Sequence, residues 1–201
     1  MRGTDVRHAA ERATGFLTTT LDRDWSAPIP GLDMSVAEVV AHVGDCLLWY
    51  PFDLTAGRTE LSTVELEVRR DSGPADLVTT LGALARVLAS VVDGSAEQAR
   101  GFHPWGVADP AGFAAMACDE ILVHTDDAAR GLGLRFTPPA ELAAAVLRRL
   151  FPWAPPDGDP WQVLLWANGR IDLPGRPRQV NWRWHSAPLS EWDGKVPSAQ
   201  S

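Results

Sequence analysis

The sequence predicts an all-α protein: a four-helix up-down bundle with a fifth helix and a tryptophan-rich C-terminal extension. Three observations predict it. Four segments of about 16 to 22 residues carry apolar side chains at three- and four-residue spacing, the signature of helices with one buried face. The links between them are mostly short, as bundle connections are. Residues that cap helices stand where the spacing begins. A chain of 201 residues is long enough to bury a sizeable core and suits one domain, read as a bundle over 1–150 and an extension over 151–201.

The first helix is expected from about Thr4 to Leu21, with Val6, Ala9, Ala10, Ala13, Phe16, Leu17 and Leu21 on its apolar side. The proline-rich DWSAPIPGLDMS follows, and Ser35 with Glu38 fits a capping box that opens helix two. Helix two, about Ser35 to Ala56, buries Val36, Val39, Val40, Val43 and Leu47. A second row beside that face holds Ser35, Glu38, His42, Cys46 and Trp49. Pro51 is expected to kink or interrupt this helix, because it has no amide hydrogen and crowds the preceding turn. From Leu61 to Arg70, apolar and polar residues alternate with the period of a half-buried strand or an extended crossover.

Asp71 to Asp76, DSGPAD, ends that segment and caps helix three, which is expected to run to about Val92 with Leu77, Leu81, Leu84, Leu88 and Val91 inward. The loop RGFHPWGVADP leads to helix four, with Asp109 as N-cap and Pro110 in the first turn. Helix five spans Pro139 to about Leu150. A short helix capped by Asp159 and Pro160 ends at Asn168 and Gly169, before the alternating QVNWRW. Most of the nine tryptophans follow Phe151, so this extension is too apolar to be a disordered tail and is expected to pack on the bundle.

Helix four, AGFAAMACDEILVHTDDAARG over Ala111 to Gly131, holds the candidate site. At about 100° per residue, Phe113, Ala117, Ile121 and Ala128 form a stripe, Glu120 and His124 share its sector, and Asp119, Asp126 and Arg130 point away. A carboxylate in an apolar stripe costs several kcal/mol unless it is neutralised, hydrogen-bonded or bound to a cation. His124 lies one turn above Glu120. The pair fits either a buried hydrogen-bonded couple or half of a metal site. Its candidate partner is His42, since two imidazoles and a carboxylate suit a Zn2+ site that keeps one position open. Asp127 and Asp45 each lie three residues after a proposed ligand and are placed to orient imidazoles. Cys46 reads as a small buried hydrophobe, His103 as a residue of the bundle mouth, and His8 and His185 as surface or hydrogen-bonded histidines.

The formal charge of -8 and the lack of any Lys/Arg cluster argue against nucleic acid and anionic membranes as partners. Seventeen arginines beside the single Lys195, with abundant Ala, Gly and Pro, suit a GC-rich bacterial genome. The first residues carry no apolar core of signal-peptide length, and no run approaches 18 apolar residues, so a cytoplasmic location is expected. Cys46 and Cys118 are too few for a disulfide framework and are expected to be reduced. A monomer or a homodimer is expected.

The stretches GLDMSVAEVVAHVGDCLLWY and DEILVHTDDAARGLG, in that order, resemble the metal-binding domain of mycothiol-dependent maleylpyruvate isomerases, within the DinB-like or YfiT-like four-helix superfamily. The similarity covers about residues 4 to 150. It implies that His42, Glu120 and His124 are the ligands of a divalent metal ion, usually Zn2+. It also implies a low-molecular-weight thiol as co-substrate, mycothiol in actinobacteria, and an electrophilic small molecule as its partner. A thiol entering the open position would lose its proton and act as nucleophile. In the isomerases sulfur adds to an activated cis double bond, permits rotation and leaves; relatives are expected to transfer the thiol to an electrophile. The isomerases carry a further α/β domain with an essential arginine, whereas only about 50 residues follow helix five here. Arg170, Arg178 and Arg183 are cations in that stretch, and no motif maps the isomerase arginine onto any of them. The alternative is a non-catalytic DinB-like domain that binds metal or a ligand.

Overall fold

The computed structural model describes residues 1–197; positions 198–201 of the extension lie outside the described residues. Among the described residues six α-helices form: α1 (Gly3–Thr18), α2 (Val36–Ala56), α3 (Pro74–Gly94), α4 (Pro110–Gly131), α5 (Ala140–Leu150) and α6 (Pro160–Ala167), with a 3-10 turn at Leu189–Glu191. Among the described residues no β-strand forms, and pairing is confined to isolated bridges such as Gly101 with Ala108. The fold class is therefore all-α, as the sequence predicts.

Local chemistry sets the helix starts where the sequence places them. Ser35 accepts from the Glu38 amide while Glu38 accepts from the Ser35 amide at 2.7 Å, a complete capping box at the head of α2. Asp109 accepts from the Gly112 amide at 2.9 Å and Asp159 from the Gln162 amide at 2.9 Å, each ahead of a proline in the first turn. α2 continues through Pro51 to Ala56. One missing amide hydrogen does not end it, since Pro51 and Leu54 are both buried against the bundle.

α1 and α2 each pack on α3 and α4, so the consecutive α1 and α2 meet chiefly through the other two helices. This places α2 beside α4, the contact on which the candidate site depends. α1 buries Val6, Ala9, Ala10, Ala13 and Leu17, but Leu21 is exposed, because the helix ends at Thr18. α3 turns Leu77, Val78, Leu81, Ala85, Leu88 and Ala89 inward, leaving Leu84 and Val91 half-buried at the edge of the expected face. α3 is also long and apolar enough by composition to cross a membrane, which the expectation from apolar runs did not include. In the bundle its apolar side packs against α1 and α2.

α4 is the central helix. Phe113 through Cys118, Ile121, Leu122, Ala128 and Ala129 are all fully buried, so the helix is covered on nearly every side. α5 packs on α4, and α6 on α5. The segment after α6 crosses the remaining face of α4 so closely that a Cβ on Gly112 would stand 2.2 Å from the Ser186 carbonyl oxygen. Arg149 of α5 fastens the crossing by donating to the carbonyls of His185 at 3.1 Å and Ser186 at 2.8 Å and pairing with Asp109.

The alternating segment after α2 takes the form of an extended crossover lying over that helix. Trp49 Nε1 donates to the Leu66 carbonyl at 3.0 Å, and the Val68 amide donates to Asp45 Oδ1 at 2.6 Å. Val68 packs on Gly44, where an added Cβ would come within 2.9 Å of Val68 Cγ2.

Candidate metal centre

α2 and α4 bring three side chains to one point. His42 Nε2 lies 3.5 Å and His124 Nε2 3.1 Å from the same oxygen, Glu120 Oε2. One ligand atom from each residue lies within 4.8 Å of the other two. Ligands about 2.1 Å from a tetrahedral ion stand about 3.4 Å apart, so these separations suit a shared cation. Glu120 Oε2 is buried and has no hydrogen-bond partner, despite its nearness to both imidazoles. An orphaned carboxylate oxygen faced by two ring nitrogens is a donor set of the kind that suits a cation. The two rings meet edge to face with centroids 5.1 Å apart.

The electrostatics follow from burial and pairing. Burial raises the Glu120 carboxyl, yet the His124 and His42 imidazoles outweigh it and hold the group below the ordinary carboxylate range. Burial lowers the His124 imidazole, but Asp127 and Glu120 together raise it to about 9. Burial also raises Asp127, which the bonds from His124 and Arg170 more than reverse.

Asp127 lies against His124, which stands three residues before it on α4. Its fully buried carboxylate meets His124 Nδ1 at 2.9 Å, which leaves Nε2 turned toward Glu120. Arg130 pairs with Asp127 Oδ1, and Arg170, from the extension, donates to Oδ2 through Nη2 at 2.8 Å. Asp45 does not orient His42. It is committed to the Val68 amide and to Arg70 at 3.4 Å, because the crossover passes on its side of α2.

Asp119 is the clearest departure from the periodicity. It points away from the apolar stripe, yet it is almost fully buried, with Trp184 Nε1 donating to Oδ2 at 2.9 Å and Asn168 Nδ2 to Oδ1 at 2.9 Å. Burial, then the neighbouring Glu120, raises its carboxyl to about 7. Asp126 is likewise buried rather than outward, beside Arg130 at 3.5 Å. Periodicity marks the face toward the bundle, and the extension covers the other one.

The three converging residues lie at one end of a cavity of about 730 Å³. One face of α2 lines it from His42 through Cys46, Trp49 and Tyr50 to Asp53; the crossover contributes Leu61 and Val64, and the extension Trp182 and Trp184. Cys46 is in this wall, its Sγ 3.7 Å from His42 Nε2, and burial followed by Glu120 pushes its thiol well up. Both cysteines are free thiols. His103 lines the mouth, as the sequence places it. Its Nδ1 accepts from the Trp105 amide at 3.1 Å and burial lowers it to about 4, so the ring is neutral with its proton on Nε2. His185 Nε2 meets the Pro188 carbonyl at 3.1 Å. Asp53 stands half-buried at the far end, raised to about 6 by burial and by Glu60.

Of the arginines Arg170, Arg178 and Arg183, Arg170 reaches the centre through Asp127, Arg178 is exposed, and Arg183 is half-buried and absent from the cavity wall. The roles of Arg170, Asn168 and Trp184 were not legible in the sequence, since no motif links them to α4.

A family model described as the mycothiol maleylpyruvate isomerase N-terminal domain matches residues 6–129. No curated protein and no solved structure matches the chain. The match spans more than half of the sequence and contains all three converging side chains, and the chain belongs to the mycothiol maleylpyruvate isomerase N-terminal domain family.

Proposed function

We propose that the protein is a metal-dependent enzyme, with zinc as its metal, that uses mycothiol or a similar low-molecular-weight thiol as nucleophile in a transfer or isomerisation reaction. The observation that carries this reading is the orphaned Glu120 Oε2, faced by His42 and His124 at the end of a cavity large enough for a small-molecule thiol. His42, Glu120 and His124 would hold the ion. A divalent cation held there lowers the pKa of a thiol entering the fourth position, so that sulfur is presented as thiolate at neutral pH.

The chain's own residues supply the rest. Asp127 accepts from His124 Nδ1 and keeps Nε2 directed at the shared point. The indole walls of Trp182 and Trp184 restrict water around the reacting sulfur. His103 offers an Nε2–H donor at the mouth. Sulfur forms a bond to an electrophilic carbon. In a transfer a leaving group departs with its electron pair; in an isomerisation the thiol is expelled again after rotation.

The cavity also bears on the second substrate. Asp45, Asp53, Glu60 and Glu120 are among its lining residues, and no lysine or arginine is. Asp53 stands about 16 Å along α2 from His42, at 1.5 Å per residue. An uncharged or cationic electrophile suits this wall better than a dianion such as maleylpyruvate. A cytoplasmic location fits this chemistry.

The test is metal content together with thiol consumption. Purified protein should hold about one equivalent of zinc, lose it in His42→Ala and His124→Ala, and consume mycothiol with members of a panel of neutral and charged electrophiles. Protein that takes up no metal would overturn the reading. Tightly metallated protein inert to every thiol would make it a binding domain instead.

A further inference from the structure

The residues matched by the family end at 129, yet one of the groups around the centre, Arg170, lies well beyond them. Arg170 follows α6 and is anchored by donating Nη1 to the Asn168 carbonyl at 2.8 Å. Its Nε lies 3.3 Å from both oxygens of Asp127 and its Nη2 2.8 Å from Oδ2. Oδ2 is also the oxygen that meets His124 Nδ1. The side chain is 15% exposed against none for Asp127, so the pair is formed away from water.

We propose that Arg170 is a positioning residue for the metal centre, acting through Asp127 to fix the His124 imidazole with Nε2 toward Glu120. This rests on the reading of His42, Glu120 and His124 as metal ligands. Asp127 is buried, so its charge has to be compensated if the carboxylate is to remain an acceptor for His124. Arg130 pairs with Oδ1 from one turn away on the same helix and is one-third exposed, so it neutralises locally without setting the direction of Oδ2. Arg170 contacts both oxygens from a separate segment, and that two-point hold fixes the plane of the carboxylate and with it the ring beyond. The extension thereby becomes part of the centre.

The experiment compares the full-length wild type with Arg170→Met, Arg170→Lys and Arg149→Met. Zn2+ affinity is read by competition with a chromophoric chelator, and ligand geometry by visible absorption of the Co2+-loaded protein. Arg170→Met is expected to weaken Zn2+ binding about 10- to 100-fold and to shift the Co2+ bands. Arg170→Lys, which keeps the charge without the fork, is expected to recover part of the affinity and carries the test if the Met variant does not fold. Arg149→Met loosens the extension at Ser186 and should lower thermal stability while leaving affinity and spectrum unchanged. Wild-type affinity and spectrum in folded Arg170 variants would overturn the proposal alone. So would an equal loss of affinity in Arg149→Met, which would mean that docking of the extension in general is what matters. A wild type that binds neither Zn2+ nor Co2+ would overturn the metal reading and the proposal with it.

Discussion

The Trp184 indole N–H donates to Asp119 Oδ2 at 2.9 Å, across 65 residues of sequence, behind the carboxylate that faces His42 and His124. Asp119 therefore ties the extension to the helix that carries Glu120 and His124. Replacing Trp184 with Phe leaves a buried carboxylate with Asn168 as its remaining donor. The expected loss is about 1–3 kcal/mol, read as a fall in Tm of about 2–4 °C per kcal/mol for a chain of this size. An unchanged Tm would show that the bond contributes nothing to stability.

Close approach at Gly112 makes a second expectation. A Cβ there would stand 2.2 Å from the Ser186 carbonyl oxygen, which is backbone and cannot swing aside. Gly112→Ala should cost about 1–3 kcal/mol by overpacking and should raise amide hydrogen exchange around Ser186. The neighbouring Ala114 and Ala115 amides of α4 should remain protected.

Metal binding and stability should be linked. A cation that binds only the folded protein adds about 4 kcal/mol at a thousandfold excess over its Kd. Zinc should therefore raise the Tm of chelator-treated wild type and leave Glu120→Gln and His124→Ala unmoved. Equal responses in wild type and variants would place the ion elsewhere.

Asp53 gives a pH dependence away from the ligands. Its carboxyl is raised to about 6 by burial and then by Glu60, while an unfolded aspartate titrates near the ordinary value of about 3.9. Between about pH 4 and pH 6 the folded chain holds the proton that the unfolded chain has released, so stability from this group falls as pH rises and levels off above pH 6. Because Asp53 is half-exposed, solvent screening keeps the effect near about 1 kcal/mol at most. Asp53→Asn should raise Tm above pH 6 and leave it unchanged near pH 4, in thermal melts across that range.

The helices and the Glu120–His124 pair were legible because their signals are local, whereas His42 joined them through the resemblance to a family motif. The Ser35 and Glu38 capping box, Asp109 ahead of Pro110, and Asp159 ahead of Pro160 each fix a helix start through bonds to amides three residues away. Glu120 and His124 stood out as polar groups in an apolar stripe. The stripe gave no sign that Asp119, pointing away from it, would be buried, because that face of α4 is covered there by Asn168 and Trp184 of the extension. Likewise, the alternation from Leu61 to Arg70 reflected a crossover pressed on α2, not a strand paired with another.

By itself, then, the sequence determined the all-α class, the helix boundaries to within a few residues, and the pairing of Glu120 with His124 on one face of α4, since periodicity and capping act over one or two turns. Only the tertiary structure decided that α2 lies beside α4, that His42 Nε2 reaches 3.5 Å from Glu120 Oε2, and that Asp127 is held from Arg170. Those side-chain relations join residues 78 and 43 positions apart, beyond the reach of any helix or turn. They arise when burial of apolar surface brings helices and extension together and leaves each buried charge to find its partner.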